Sequence, residues 1–412
     1  MSYTTTSNLA ETGHAWIPKV PADWQLRRIK YCSPAIVEKT SDSEKHPYVG
    51  LENVEPWTGR YIAGTEEKPD AAANRFERGD VLFGKLRPYL AKVLKPDFDG
   101  RCTGELLVLR PKLYDSRYLQ YLFLSDNFIR NVDASTYGAK MPRAEWGFIG
   151  NLKSPLPPRS QQTAIADFLD RETARIDGLI AKEERLLALL EEKRTALISH
   201  AVTKGLDPDA ELKDSGIPWL GKIPKGWEVV KLGYLCRIGT GSKDTQDAKD
   251  DGEYPFFVRS QIPERINSFD YDCEAILTAG DGVGVGKVFH YVQGKFDAHQ
   301  RVYVLRSFRQ IRAILLFYYL REFFKKVALT GDAKSTVDSV RRHMLTTLPV
   351  AVPPLDQQDA IIVHIDNACS RLNTLTVKIN HAINLLREKR TALISAAVTG
   401  KINVKPTRTK TA

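Results

Sequence analysis

The chain has 412 residues, a formal net charge of +10 and 42% hydrophobic residues. At ~150 residues per domain this is roughly two to four domains with ordinary apolar content, which excludes a mainly disordered chain. The longest apolar run, Ile314 to Leu320, falls far short of the ~18 residues of a membrane span, and five cysteines without a C-x-x-C pair argue against a disulfide framework or a zinc ribbon.

The first residues, Met1-Ser2-Tyr3-Thr4-Thr5-Thr6, show no basic segment followed by an apolar one. No secretory signal is therefore expected, and the cytoplasm is the default location. A pI of ≈ 9.2 invites a nucleic-acid reading, but many proteins are mildly basic. Where the excess sits matters more than its sum.

The chain is written twice. Residues 192–203, Glu-Lys-Arg-Thr-Ala-Leu-Ile-Ser-His-Ala-Val-Thr, return at 388–399 with only His200 changed, to Ala396. The same offset matches Pro157-Pro158 to Pro353-Pro354 and Gln161-Gln162 to Gln357-Gln358. A fainter echo links the preceding segments. Pro21-x-x-Trp24 returns as Pro224-x-x-Trp227, each before a strand-like stretch ending at Cys32 or Cys236, cysteines expected in the core. Gly79-Asp80 is matched to Gly280-Asp281, and an aromatic helix pattern at 118–128 to 314–324. Such repetition is sought first because it fixes the architecture.

In chain order the reading is a globular unit over 1–156, a helix over 157–205, a second globular unit over 206–351, a second helix over 352–402 and a basic tail over 403–412. Each helix would run about 40 residues, or ~60 Å. The Pro-Pro pairs block an earlier start, and Gly205 and Gly400 supply stops. A heptad seam is expected at Ile165, Leu169, Ile176, Leu179, Leu186, Leu190 and Leu197. Its partners would be Ile361, Ile365, Leu372, Leu375, Ile379, Leu386 and Leu393. An identical seam written twice suggests that the two helices pack on each other, antiparallel. The fold class is therefore α+β: two globular α/β units separated by two long antiparallel coiled-coil helices, with an internal pseudo-two-fold repeat. Two independent surface helices are the bland alternative.

Residues 159–204 hold eight basic and eight acidic side chains, so this stretch is neutral. The one local excess lies at 301–342, from Arg301 to Arg342, against only Glu322, Asp332 and Asp338. Such a cluster suits phosphate, though part of it is equally read as the solvated side of the aromatic helix.

Catalytic motifs are missing. The glycine-rich run Gly280 to Lys287 fails as a Walker loop, with Asp281 and Val288 at defining positions, and fails as a dinucleotide fingerprint. It reads as a tight turn that lets backbone approach closely. No metalloprotease helix motif, nucleophile elbow or amino-methyltransferase tetrapeptide occurs, and Glu191-Glu192-Lys193 sits on the helix seam. No metal site is expected.

Both Lys-Arg-Thr-Ala-Leu-Ile-Ser segments, both Pro-Pro-x-x-Gln-Gln openings, Ile223-Pro224-Lys225-Gly226-Trp227 and Gly79-Asp80-Val81-Leu82-Phe83-Gly84-Lys85-Leu86-Arg87-Pro88 carry a resemblance. Over nearly its whole length the chain resembles the specificity subunit of Type I restriction–modification enzymes. The first unit departs slightly, with Pro21-Ala22-Asp23-Trp24 at its opening. The resemblance implies two target recognition domains, each reading half of a bipartite DNA site, on a spacer of paired helices. It implies double-stranded DNA, two modification (methyltransferase) subunits and restriction (translocase/nuclease) subunits as partners. The chain itself would be non-catalytic and carry no cofactor, with S-adenosylmethionine, ATP and Mg held by the other subunits. Because the two units diverge, the site would be asymmetric.

By residue type and loop context, the DNA-contacting candidates are Lys85, Arg87, Lys140 and Arg143, the last two beside Tyr137. In the second unit they are Lys287, as counterpart of Lys85, with Lys334, Arg341 and Arg342. Arginine is the usual partner of guanine edges and lysine more often holds phosphate. A solvated surface charge is the competing reading for each. Tyr137 and Phe148 are read as filling the core, with contact to thymine methyls as the alternative. Two rival functions stand beside this one: a stand-alone DNA-binding nuclease-like protein, and a coiled-coil scaffold without DNA function.

Overall fold

The computed structural model describes residues 4–40, 47–64, 73–136, 140–328 and 339–404. The chain divides into two compact units, Met1–Glu184 with Asn380–Ala412, and Arg185–Ile379. Each unit thus holds one globular part, a segment of the helix Arg159–Lys204 and a segment of the helix Leu355–Val398.

In unit 1 a four-stranded antiparallel sheet has the order Val93–Leu94, Val81–Gly84, Leu106–Leu109, Ala35–Ile36. Val81–Gly84 is buried on both faces, and its sequence is accordingly a continuous apolar run rather than an alternating one. A second sheet runs Lys39–Thr40, Ala73–Phe76, Gly100–Cys102, Tyr48–Val49, with only its last pair parallel. Val49, Phe76, Leu82, Cys102 and Val108 fill the space between them. The helix Ser116–Phe123 starts where the Asp115 side chain accepts from the amides of Arg117 and Tyr118 at 2.9 and 3.4 Å. Its aromatic face joins Phe83, Phe128, Ile165, Leu169 and Ile176 in one core.

Unit 2 repeats this plan. Its first sheet runs Arg237–Thr240, Val302–Arg306, Ala275–Ala279, Phe289–Val292, all antiparallel. Its second sheet again contains one parallel pair, Tyr254–Phe257 with Lys295–Ala298. A two-stranded ribbon, Glu228–Lys231 with Pro349–Val352, mirrors Gln25–Arg28 with Lys153–Leu156 in unit 1. The helix Ala313–Ala328 packs its apolar face onto this sheet and onto Ile361 and Ile365.

The long helices begin and end where the prolines and glycines indicate. Gly205 and Gly400 follow them at φ +76° and +70°. A Cβ on Gly400 would lie 2.4 Å from Pro21 Cδ and 3.0 Å from Trp24, so this stop needs glycine twice over. Within each unit the two helices pack antiparallel. In unit 1, Arg390 pairs with Asp177 at 2.9 Å and Arg387 with Glu184 at 3.1 Å. In unit 2, Arg194 donates to Asn373 at 3.2 Å.

The phase of the seam differs from expectation. Ile165, Leu169, Ile176, Ile361, Ile365, Leu372, Ile379 and Leu393 are buried, and Leu190, Leu197 and Leu386 are half-buried. Leu179, Leu186 and Leu375 are instead 37%, 43% and 46% exposed. The packed positions at those turns are one residue further on: Ile180, Leu187 and Thr376, with Ile383 and Arg390 continuing the row on the second helix. The spacing opens with two successive steps of four, from Ile165 to Leu169 to Thr173, before threes and fours alternate. Alternation from the first step selects Glu172 and leaves every second position one residue early.

Among the described residues no helix is long and apolar enough to cross a membrane.

Candidate nucleic-acid interface

In both units three loops meet at the end of the first sheet. In unit 1 the chain leaves Val81–Gly84 through Lys85, Leu86 and Arg87, the last in a left-handed conformation. Lys85 donates its amide to the Glu105 carbonyl at 2.9 Å and accepts from Ala144 N at 2.9 Å. Arg87 N donates to the Pro142 carbonyl at 2.8 Å, and Leu86 bridges Arg143. Backbone pairing thus brings Lys85, Arg87 and Arg143 together. Arg87 and Lys140 are exposed and Lys85 half-buried. Arg143 is exposed too, but its guanidinium is paired with Glu105 at 2.7 Å.

Unit 2 builds the same junction from different residues. Gly280 donates to the Arg301 carbonyl at 2.8 Å and accepts from Val340 N at 2.8 Å, while Asp281 bridges Ser339. Topologically, Gly280 therefore stands where Lys85 stands. This corrects two sequence matches. Gly79-Asp80 precedes the strand Val81–Gly84, whereas Gly280-Asp281 follows the strand Ala275–Ala279, so the shared letters fall at opposite strand ends. Lys287 is not the counterpart of Lys85 either, because it lies beyond the one-turn helix Gly282–Gly284, as Lys92 lies beyond Pro88–Leu90 in unit 1. A dipeptide match across units of little sequence identity cannot fix register; the hydrogen-bond ladder does.

Lys287 and Arg341 are exposed. Arg342 is tied inward, with Nη2 donating to the Ile238 carbonyl at 2.7 Å. Lys334 and Tyr137 lie outside the described residues, as does most of the 403–412 tail. Phe148 is 38% exposed, so it does not fill the core.

The reading from sequence placed Arg301 only within the 301–342 basic cluster and missed Arg259 and Asp281 as charges of this junction. Asp281 accepts from Arg259 Nη1 on Oδ1 at 2.9 Å and from Arg301 Nη1 on Oδ2 at 2.6 Å. Burial pushes the Asp281 carboxyl up, but the hydrogen bonds and charges of the two guanidiniums outweigh it and hold the group below its ordinary value. The glycine run makes this possible. A Cβ on Gly284 would lie 2.7 Å from the Arg259 carbonyl, and one on Gly280 would lie 2.9 Å from the Arg301 carbonyl. The close approach foreseen at this turn is thus to the protein's own backbone. Beside it, Gln261 donates to the Lys287 carbonyl at 2.6 Å, and Ile262 is 79% exposed. Arg259 lies 22 residues from Asp281, a separation that leaves no local signal.

Chemically, the junctions present fixed cations, exposed loop tips and backbone amides. Among the described residues no group of three or more His, Cys, Asp or Glu is placed to hold a metal ion.

Comparison with known proteins agrees with this architecture. Residues 224–385 match the family model of the Type I restriction modification DNA specificity domain. The Type I restriction enzyme EcoDI specificity subunit of Escherichia coli is 32% identical over 182 residues, 44% of this chain and 40% of that protein. The MjaVIII specificity subunit of Methanocaldococcus jannaschii is 24% identical across 94% of this chain and 95% of its own. Among solved structures, a chain from work on complex assembly and conformational transition of the type I R-M system superposes with a TM-score of 0.75. It is 20% identical, over 93% of this chain and 99% of that one. The HsdS subunit from Thermoanaerobacter tengcongensis follows at TM-score 0.51 and 19% identity, over 95% and 99%. The chain is thus similar to Type I restriction enzyme specificity subunits, through a specificity-domain match over residues 224–385, relatives of this kind aligned along nearly the full length, and a shared fold.

Proposed function

We propose that this chain is the DNA sequence-specificity subunit of a Type I restriction–modification complex, each unit taking one half of an asymmetric bipartite site. The observation that carries this reading is the repeated loop junction. One backbone topology is used twice, with Lys85, Arg87, Glu105 and Arg143 in unit 1 but Arg259, Asp281, Arg301 and Arg341 in unit 2. Identical scaffolds with different side chains suit two half-sites of different sequence.

The chain supplies recognition and scaffolding and no catalytic step. Methyl transfer, translocation and cleavage, with S-adenosylmethionine, ATP and Mg, belong to modification and restriction subunits. The helices support the docking of such partners, since they leave large apolar side chains in water. In unit 1 these are Leu179 and Leu385, and in unit 2 Leu186, Leu189, Val363, Leu375 and Val377.

The test is binding of the complex reconstituted with its modification subunits to a random duplex library over a range of salt. A selected bipartite motif, with affinity falling as salt rises, is the expected result. Unselective retention of the library would refute it.

A further inference from the structure

Among the described residues the Arg259–Asp281–Arg301 cluster has no equivalent in unit 1, where the same junction carries the pair of Glu105 and Arg143. Three features define what it can bind. The carboxylate is mostly covered, at 20% exposure, whereas the Arg301 side chain is 60% exposed and the Arg259 side chain 42%. Arg301 uses Nη1 on Asp281, one of the five N–H donors of a guanidinium, so a planar donor edge remains for a second acceptor. Its backbone is fixed as well, by the Gly280 amide on its carbonyl and by the ring nitrogen Nδ1 of His299 on its own amide at 3.0 Å.

A phosphate oxygen is a poor ligand here. Asp281 lies 2.6 Å from the Arg301 nitrogen it binds, so an approaching phosphate meets a carboxylate with the cation. A guanidinium fork can also hold phosphate in bidentate fashion, so it is the adjacent carboxylate that disfavours phosphate here. A guanine edge differs: N7 and O6 are neutral acceptors at fixed separation, and a guanidinium held in one plane meets both. The cluster's single net positive charge matches a neutral base edge within an anionic groove.

We propose that Arg301, braced by Asp281 beside Arg259, reads a guanine in the half-site taken by unit 2. Asp281 acts through Arg301 and is a positioning residue. The inference rests on the specificity-subunit reading above.

It is tested by sequencing the methylated motif of cells carrying the complete system with Arg301→Ala, Arg301→Lys or Asp281→Asn. Both Arg301 variants are expected to lose about 10- to 100-fold discrimination at one guanine position, with the other half-site and the spacing unchanged. Asp281→Asn is expected to relax the same position less. An unchanged motif overturns the proposal. So does even weakening at all sites with the motif intact, which is the signature of a phosphate contact. Should Arg301→Ala abolish methylation, Arg301→Lys decides, and abolition by both assigns the cluster a purely structural role. If the unsubstituted chain directs no bipartite motif at all, it is the specificity-subunit reading that has failed.

Discussion

Trp227 donates its indole N–H to Oε1 of Gln357 at 2.9 Å, tying the opening ribbon of unit 2 to the first turn of its long helix. Trp24 makes the same bond to Gln161 at 2.6 Å in unit 1. The neighbouring glutamines work as pairs too. Gln358 accepts from Arg312 N and donates to the carbonyls of Gln310 and Pro353, while Gln162 accepts from Asp115 N and donates to those of Leu113 and Pro157. The repeated Gln-Gln is therefore a clamp between helix and globular part.

Because Trp227 is 1% exposed and Trp24 only half-buried, the two clamps differ in worth. Gln357→Ala leaves a buried indole N–H without its acceptor and should cost about 1–3 kcal/mol. Gln161→Ala should cost less, since water reaches Trp24. Denaturant unfolding of the two variants checks this, and equal losses would contradict it.

The identical Lys-Arg-Thr-Ala-Leu-Ile-Ser segments also have unequal jobs. Arg390 is buried, pairs with Asp177 and donates to the carbonyls of Trp57 at 2.8 Å and Thr58 at 3.1 Å. Arg194 meets Asn373 where Arg390 meets a carboxylate. Arg390→Met should destabilise by about 1–3 kcal/mol, because it leaves the Trp57 and Thr58 carbonyls unpaired and Asp177 with Arg60, at 2.6 Å, as its remaining cation. Arg194→Met should cost clearly less. Thermal unfolding of the pair of variants is the measurement.

Leucines on the helices separate packing from docking. Leu179→Glu and Leu186→Glu should leave stability within about 0.5 kcal/mol, whereas Ile176→Ala and Ile365→Ala should lose about 2–5 kcal/mol. On the proposed function, Leu186→Glu should still weaken capture of a modification subunit in a pull-down titration. A large stability loss from either glutamate variant would restore those leucines to the seam.

Thiol chemistry gives a pH prediction. Burial pushes the Cys102 and Cys236 thiols up to about 12. A raised folded value means stability is complete below the unfolded value near 9 and is lost as pH rises from there toward 12. Alkylation at pH 8 should therefore reach the partly exposed Cys273 first and spare Cys102 and Cys236 until the chain unfolds. Early labelling of Cys236 would contradict the core placement.

Much of the fold is legible in the sequence because local chemistry dictates it. Pro-Pro before each helix, glycine after it and a nearly exact repeat of 192–203 at 388–399 leave little freedom. The seam phase is less legible because leucine occupies both the packed ridge and the one beside it, so composition alone does not choose between Leu186 and Leu187. At the candidate interface, Lys85, Arg87 and Arg143 are legible because they lie in loops rich in basic residues. The grouping of Asp281 with Arg259 and Arg301 is not, because what joins Arg259 to Arg301 is the meeting of separate loops. The false match of Gly79-Asp80 to Gly280-Asp281 has the same origin: register belongs to the strand ladder, and short motifs do not carry it.

The central claim is that this chain chooses the DNA sequence its complex methylates. The most direct measurement is methylome sequencing of the source cell with and without the gene. The account predicts that one asymmetric, two-part methylated motif disappears with the gene and returns when it is restored. An unchanged set of methylated motifs, with the modification subunit present and active, would contradict it.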